Sequence, residues 1–302
     1  MVPVNQTIAR SERSLHKTTS DTHKPIAAIR EEELGPDGLL KRVDTLFLNN
    51  KECPFQCVMC DLWKHTLDEP TPLGAIPHQI DIALSTLPSD GQVIKLYNSG
   101  NFFDAKAIPP KDYEEIAKRI AKYDRVILEN HPKLCDDRVL SFTRYLPDSM
   151  AVELALGVET IHPIWLEGLN KSMTIDDVEQ ATHWAHGQGF DVRAFLLLHA
   201  PTISKESDDQ AKVPLETMRS WTLRSVEWVQ KMGFTAATLI PLRPELLPEG
   251  TGIAPSLEEI ERTASQAKKI ADRMRLFVDC WDLEASENLS RLNAEPPRNL
   301  TH

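Results

Sequence analysis

The sequence predicts an α/β fold in which a curved, partly open sheet of parallel strands is covered by helices. Short apolar segments rich in β-branched residues alternate with longer segments of helical spacing, and the alternation occurs six times. Six strand–helix units are fewer than the eight of a closed barrel. Right-handed crossovers make such strands parallel, and functional groups then gather at their carboxyl ends.

The first predicted strand, 42–50, is an apolar run that leads directly into a cysteine-rich loop. The other predicted strands lie at 92–100, 125–132, 150–160, 191–201 and 234–244, with a possible seventh at 275–282. The predicted helices lie at 77–87, 110–123, 136–146, 175–189, 215–233 and 256–274. Thr174 and Asp177 form a predicted capping box for the fourth helix.

The two ends of the chain differ from this central region. Residues 1–40 are polar without sustained periodicity, so we expect a flexible N-terminal extension with one short helix near 27–34. Residues 41–283 form the predicted core domain. Residues 284–302 form the predicted C-terminal tail, which ends in AEPPRNLTH and is expected to be disordered there.

Composition limits the class of protein. The chain has 302 residues, of which 34 are basic and 45 acidic, for a net charge of −11. This charge repels phosphate backbones, so binding of nucleic acid is not expected. No run approaches the roughly 20 apolar residues of a membrane span, and the N-terminus lacks the apolar core of a signal peptide. With five cysteines, an odd number, these features lead us to expect a cytoplasmic protein that binds no membrane.

Three cysteines lie close together in the segment NNKECPFQCVMCDLW, at Cys53, Cys57 and Cys60. Thiolates spaced C-x3-C-x2-C can reach three corners of an iron–sulfur cubane and leave the fourth iron open for chemistry. The alternatives are a zinc site that takes His65 as its fourth ligand, or three unrelated buried thiols. The two other cysteines are isolated, so we expect Cys135 and Cys280 to be ordinary buried residues and no second cluster to form.

This motif, after the first strand of a partial (βα)6 TIM-like barrel, resembles that of the radical S-adenosylmethionine (radical SAM) superfamily, and the resemblance covers roughly residues 42–282. It implies one [4Fe-4S] cluster, bound by Cys53, Cys57 and Cys60, whose fourth iron binds S-adenosylmethionine. It also implies reductive cleavage of that cofactor to a 5′-deoxyadenosyl radical, hydrogen abstraction from a substrate, and an electron donor such as flavodoxin or ferredoxin.

The other strand ends resemble one branch of the superfamily, which holds the elongator catalytic subunit and archaeosine synthase radical enzymes. The tracts that carry this resemblance are LYNSGNFFD, ILENHP and ELALGVET with LNKSMT. The position of His131 usually holds arginine in that branch. The resemblance and the strand-end positions give a predicted set of cofactor-binding residues: Asn98, Ser99, Gly100, Asn101, Glu129, Glu159, Arg193 and Met59.

Some of these residues have structural alternatives. Asn98, Ser99, Gly100 and Asn101 could form a simple strand-to-helix turn. Glu159 could form a salt bridge with Lys171 or Arg193, and Arg193, inside an apolar strand, needs an anion that could equally be an internal glutamate. For Glu153, deeper in its strand, we favour a salt bridge.

The predicted function is that of a radical SAM enzyme acting on a small-molecule or peptide substrate. A tRNA-modifying radical SAM enzyme is one alternative, which the branch resemblance suggests and the charge disfavours. A non-catalytic iron–sulfur protein for electron transfer or binding is the other, although small electron carriers usually bind all four irons through cysteines.

Overall fold

The computed structural model describes residues 17, 21–201, 213–243, 254–280, 283 and 286–299. In this part of the chain, eight strands form a single sheet in the order in which they occur in the sequence. The strands are β1 (Ala27–Leu34), β2 (Leu40–Phe47), β3 (Val93–Tyr97), β4 (Arg125–Asn130), β5 (Ala151–Glu159), β6 (Asp191–Leu198), β7 (Ala236–Pro241) and β8 (Arg275–Val278). From β2 to β8 all neighbouring strands are parallel, as predicted.

Helices follow each parallel strand and cover the outside of the sheet. They are α1 (Ala75–Ser85), α2 (Tyr113–Ile120), α3 (Asp137–Thr143), α4 (Pro163–Gly168), α5 (Ile175–Gly187), α6 (Leu215–Lys231), α7 (Leu257–Ile270) and α8 (Glu287–Ala294). The capping box at Thr174 and Asp177 forms as predicted and starts α5. Among the described residues, no helix is both long and apolar enough to cross a membrane.

The N-terminal segment forms a strand where a helix is predicted. β1 pairs antiparallel with β2 along its whole length, from Ala27 opposite Phe47 to Leu34 opposite Leu40. The prediction of a helix near 27–34 is therefore wrong. Residues 27–34 belong to the sheet rather than to a flexible extension, while residues 1–16 and 18–20 lie outside the described part of the chain.

The predicted C-terminal tail also packs on the barrel wherever the structure describes it. Ser286 caps α8 by accepting a hydrogen bond from the backbone N–H of Leu289, and Leu289 and Leu292 are buried. Beyond the helix, the backbone N–H of Asn299 donates to the carbonyl oxygen of Asp272 at 2.7 Å. The expectation of disorder covers AEPPRNLTH, residues 294–302, and it is wrong for the described residues 294–299.

The sheet curls until its first and last strands meet at the amino end of the parallel strands. The Arg275 guanidinium of β8 donates to the carbonyl oxygen of Leu34 in β1 at 3.3 Å. Leu34 also packs with Ala236 and Phe277, and α8 contacts both β1 and β8 along the same seam. The partial barrel is consequently filled at its amino end.

Buried ion pairs fill this end of the barrel interior. Lys95 of β3 donates to Glu31 at 2.7 Å and to Glu33 at 2.6 Å, both in β1. Arg193 of β6 contacts Glu33 and donates to Glu153 of β5 at 2.6 Å. Because β1 and β6 are not neighbours in the sheet, the contact between Glu33 and Arg193 crosses the interior of the barrel.

Glu153 is the centre of this network. It accepts hydrogen bonds from Arg193, from Arg275 at 2.8 Å and from Arg125 at 3.2 Å. Burial alone would raise the pKa of Glu153, but these three guanidinium groups outweigh it and lower the pKa far below its ordinary value. The salt bridge that we favoured for Glu153 is confirmed.

Candidate active site at the carboxyl ends of the strands

The three clustered cysteines lie on the loop that follows β2, which we name the cysteine loop (residues 48–61). Its position at the carboxyl end of the parallel strands is the predicted one. Among the described cysteines, Cys53, Cys57 and Cys60 form no disulfide, and all three are half-buried. Of the two others, Cys135 is buried as expected, whereas Cys280 is exposed because it follows the short last strand, β8, and the expectation of burial is wrong for it.

The three thiols influence one another electrostatically. Burial raises the pKa of Cys53, Cys57 and Cys60 to about 12 each, and the charge of a neighbouring thiolate of the three adds to each shift. Three thiolates in one half-buried loop therefore need a cationic partner, since the thiolate and not the thiol binds metals.

The donor geometry distinguishes between kinds of metal site. Within the described ranges, no three His, Cys, Asp or Glu side chains converge where a single metal ion would fit. A tetrahedral zinc ion would need such convergence, whereas each thiolate of a cubane binds a separate iron. The zinc alternative with His65 and a cubane therefore differ in the donor convergence that they need.

Two hydrogen bonds fasten the cysteine loop to the segment that follows α4. The backbone N–H of Val58 donates to the carbonyl oxygen of Leu169 at 3.0 Å, and the side-chain amide of Asn170 donates to the carbonyl oxygen of Gln56, also at 3.0 Å. Asn170 has a positive φ of 54°, a conformation that asparagine tolerates better than most residues. The loop between the cysteines is thus held by the neighbouring segment of the protein itself.

His131 packs against the cysteine loop. Its ring stacks on Phe55, which lies between Cys53 and Cys57, with ring centroids 3.8 Å apart. Its Nδ1 accepts the N–H of Lys133 at 3.2 Å, so Nε2 carries the proton and donates to the carbonyl oxygen of Lys171 at 3.0 Å. Burial lowers the pKa of His131 to about 3, and the imidazole is neutral at physiological pH.

A second loop, which we name the asparagine loop (residues 98–101), follows β3 and lies against the first cysteine. The carboxylate of Glu129 accepts the backbone N–H of Asn98 at 2.9 Å and that of Gly100 as well. Burial raises the pKa of Glu129 to about 6, and these two N–H groups limit the rise. Ser99 between them has a positive φ of 55°. Glu129 thereby fixes the backbone of the asparagine loop.

Contact between the asparagine loop and Cys53 is close. The amide Nδ2 of Asn101 donates to Cys53 Sγ at 3.3 Å. A Cβ atom at Gly100 would lie 2.9 Å from the Cβ of Cys53, closer than side chains pack, so this position needs glycine. The loop is shaped to lie directly on the cysteine.

A buried ion pair completes the site at the end of β5. Lys171 contacts the carboxylate of Glu159 and donates to the carbonyl oxygen of Gly157 at 2.6 Å. Burial opposes the ammonium charge, but Glu159 outweighs it and raises the pKa of Lys171. A Cβ at Gly157 would lie 2.1 Å from Lys171 Nζ, so the glycine leaves room for the ammonium group.

Several buried amide atoms at the strand ends lack a hydrogen-bond partner within the described residues. They are the Oδ1 atoms of Asn98 and Asn101 and both side-chain polar atoms of Asn130. Such groups cost free energy unless a ligand or water satisfies them. Together with the three thiols and the close approach at Gly100, they suit a metal cluster and a polar ligand beside it.

Comparisons with known proteins bear on the fold. No protein family model matches the chain. A curated relative, the uncharacterized protein MJ0550 of Methanocaldococcus jannaschii, is 24% identical over 202 residues, which cover 62% of this chain and 55% of the relative. This chain therefore spans about half the length of that protein.

Two solved structures share its architecture. Methylornithine synthase (PylB) superposes with a TM-score of 0.56 at 16% identity, covering 82% of this chain and 69% of that one. SuiB of Streptococcus suis, solved with S-adenosylmethionine bound, gives a TM-score of 0.50 at 10% identity, covering 79% of this chain and 49% of that one. The chain has the partial-barrel fold of these two structures.

Within this fold, most of the predicted cofactor-binding residues lie around the cysteine loop. Asn98, Ser99, Gly100 and Asn101 form the loop against Cys53, and Glu129 holds that loop. Glu159 contributes to the site through its pair with Lys171, which is the structural alternative considered for it. Met59 is half-buried and packs against the main hydrophobic core.

Arg193 is the exception, and its predicted contact with the cofactor needs correction. The structure places its guanidinium at the opposite, amino end of the barrel, where Glu33 and Glu153 bind it. No part of the side chain reaches the cysteine loop, because Arg193 is the third residue of β6 and points to the floor of the barrel. The alternative of an internal glutamate partner is confirmed.

Three residues of the site were not among the predicted set. Lys171 entered only as a possible partner of Glu159, and His131 as a departure from an expected arginine. No role was predicted for Phe55. An aromatic residue between the cysteines could have indicated that the loop packs against the rest of the protein. Their roles depend on contacts between segments far apart in the sequence, which no local pattern shows.

Proposed function

We propose that the protein is a radical SAM enzyme that binds one [4Fe-4S] cluster and S-adenosylmethionine and acts on a small-molecule or peptide substrate. The observation that carries this proposal is the placement of Cys53, Cys57 and Cys60 at the carboxyl ends of the strands in a radical SAM fold, with the asparagine loop lying against Cys53. When bound, the cluster would supply one electron for cleavage of S-adenosylmethionine to a carbon radical.

Each residue of the candidate site would have a separate role in binding the cluster and the cofactor. The three cysteines would hold three irons, and Phe55, stacked on neutral His131, would keep their loop in shape. The unpartnered amide oxygens of Asn98 and Asn101 would accept hydrogen bonds from the bound cofactor. Glu129 would keep both asparagines in place through its two backbone hydrogen bonds.

The barrel interior supports a small substrate. The ion pairs around Glu33 and Glu153 fill the amino end of this interior. Tyr97 and Phe195 pack against a cluster of apolar residues from the strands. A substrate would therefore enter from the carboxyl end, where the cysteine loop lies, and the filled floor would keep water away from a reactive radical.

Anaerobic reconstitution tests the metal site. The wild-type protein is expected to bind about four irons and four sulfides, as one cubane requires. Alanine at Cys53, Cys57 and Cys60 should abolish iron binding, whereas alanine at Cys135 and Cys280 should leave it intact. Stable tetrahedral zinc in protein purified and kept without oxygen would contradict the proposal.

Cofactor cleavage separates the enzyme from an electron-transfer or binding protein. With dithionite as reductant, the reconstituted protein should convert S-adenosylmethionine to 5′-deoxyadenosine and methionine, measured by liquid chromatography. The triple cysteine variant is the control. A fully loaded cluster that is reduced by dithionite but yields no 5′-deoxyadenosine would favour the non-catalytic alternative.

A further inference from the structure

Asn101 makes a contact that the assignment of cofactor-binding residues does not require. Its Nδ2 lies 3.3 Å from Cys53 Sγ, and the residue is only 2% exposed. The other end of the same amide, Oδ1, has no partner among the described residues. The Nδ2 donor thus bonds to the sulfur, while the Oδ1 acceptor can bond to a ligand.

The contact is built into the fold rather than made by a mobile side chain. Asn98 and Asn50 form a reciprocal amide pair, with Asn98 Nδ2 2.6 Å from Asn50 Oδ1 and Asn50 Nδ2 2.7 Å from the carbonyl oxygen of Asn98. Glu129 holds the backbone N–H groups on either side of Ser99. Gly100 allows the loop to approach Cys53 to a distance that any side chain would prevent.

A hydrogen bond to a cluster sulfur has a predictable effect. Reduction adds one negative charge to an iron–sulfur cluster, and part of that charge resides on the thiolate sulfurs. A donated N–H stabilises the reduced form more than the oxidised form, and hydrogen bonds to sulfur are among the main determinants of cluster potential. Burial of Asn101 strengthens the effect because little water reaches the amide that donates the hydrogen bond.

We infer that Asn101 is a positioning residue that raises the reduction potential of the cluster by donating its amide N–H to the sulfur of Cys53. The inference rests on the proposed function only in that the cysteines must hold a cluster. The predicted role of Asn101 is to bind the cofactor, which Oδ1 would do. The inference adds a second role, in which Nδ2 acts on the cluster through the sulfur of Cys53.

The test is a redox titration followed by electron paramagnetic resonance, on reconstituted full-length protein without S-adenosylmethionine, at pH 8. Asn101→Leu removes the donor at similar volume, and Asn101→Asp removes it at nearly identical shape. Both variants should load iron and sulfide like the wild type and show a lower midpoint potential, with Asn101→Asp the lower of the two because it adds a negative charge. Asn299→Leu, an exposed amide bonded to Asp272, is the matched control and should leave the potential unchanged.

Each outcome decides the inference. An unchanged or raised potential in loaded Asn101→Asp or Asn101→Leu overturns it. Loss of the cluster from both variants, with circular dichroism unchanged, also overturns it, because Asn101 would then be a requirement for loading and not a modulator. If the wild type binds about four irons but does not cleave S-adenosylmethionine, the proposed function fails while the effect of Asn101 on the potential is still measured.

Discussion

Glu129 illustrates how one carboxylate can fix the backbone of a loop in the candidate site. It accepts two backbone N–H groups of the asparagine loop and so sets the conformation of four residues. The resemblance to known radical enzymes predicts that this acid binds the cofactor, and the structure adds a contact that no sequence pattern shows.

Replacing Glu129 by alanine should weaken binding of S-adenosylmethionine while leaving iron content unchanged. Loss of the carboxylate frees the N–H groups of Asn98 and Gly100, so the loop loses its fixed shape, but the cysteines lie on another loop. Removing a buried acceptor of two hydrogen bonds costs about 1–3 kcal/mol, equivalent to roughly 5- to 150-fold in affinity.

Calorimetric titration of reconstituted protein with S-adenosylmethionine, beside iron analysis, measures this effect. Glu32→Ala, an exposed glutamate in β1, is the control. Iron lost together with affinity would show that Glu129 maintains the cysteine loop as well, and the separation of roles would be wrong.

The position of the three cysteines at the carboxyl ends of the strands could be predicted because their spacing, and the strand before them, are local in sequence. The predicted role of Arg193 failed for the opposite reason. A buried arginine needs an anion, and this need can be predicted from the sequence. Its partners cannot, because Glu33 and Glu153 lie 160 and 40 residues away along the chain. Only the three-dimensional structure distinguishes these glutamates from a ligand carboxylate.

Among the elements, β1 differs most from expectation. The parallel strands and their helices could be predicted since buried strands are continuous apolar runs and helices such as α5 carry caps. In REEEL, by contrast, repeated glutamates favour a helix by intrinsic propensity. The ion pairs of Glu33 with Lys95 and Arg193, together with the pairing of β1 with β2, outweigh that propensity and make the segment a strand.

Glu33→Gln should destabilise the protein by about 3–5 kcal/mol, since it leaves Lys95 and Arg193 buried with less compensation. Its side chain is 11% exposed, so solvent screens the interaction little. Chemical denaturation at pH 7 measures the change. Glu32→Gln, on the same strand but facing solvent, should have little effect and provides the matched control.

The same carboxylate should make stability depend on pH. Burial alone would raise the pKa of Glu33, but Arg193 and Lys95 lower it from 4.5 to about 2. Because the folded pKa lies below the unfolded one, the stabilisation is fully present above pH 4.5 and is lost as the pH falls towards 2. In Glu33→Gln this part of the decline should be absent, and an identical pH profile in both proteins would contradict the assignment.

At the scale of the whole molecule, the distribution of charge bears on the substrate. The net charge is −11, and several basic residues on the helices are paired with acids, such as Lys231 with Glu227 on α6. On α2, Lys118 contacts Glu114 and Glu115, and Arg119 contacts Asp81. A solvated helix face of this kind offers phosphates few free cations.

Bulk tRNA should therefore bind weakly, without saturation at low micromolar concentration in physiological salt. Filter binding or fluorescence anisotropy at several salt concentrations measures this, because each phosphate contact steepens the dependence on salt. Heparin, as a non-specific polyanion, is the control. Tight, salt-sensitive binding selective for tRNA would promote the tRNA-modifying alternative.

The seam between β1 and the last strands also has a consequence for synthesis on the ribosome. Glu33 is translated 160 residues before Arg193, and Leu34 is translated 241 residues before Arg275. A nascent chain can form the hairpin of β1 and β2 early, but Glu33 stays without Arg193 until β6 has left the exit tunnel, and the carbonyl oxygen of Leu34 stays without Arg275 until β8 has left it. Contacts so distant in sequence slow folding, and the final closure becomes a late event that depends on nearly the entire polypeptide. Chains that stall before β8 should accordingly be sensitive to protease and should engage chaperones.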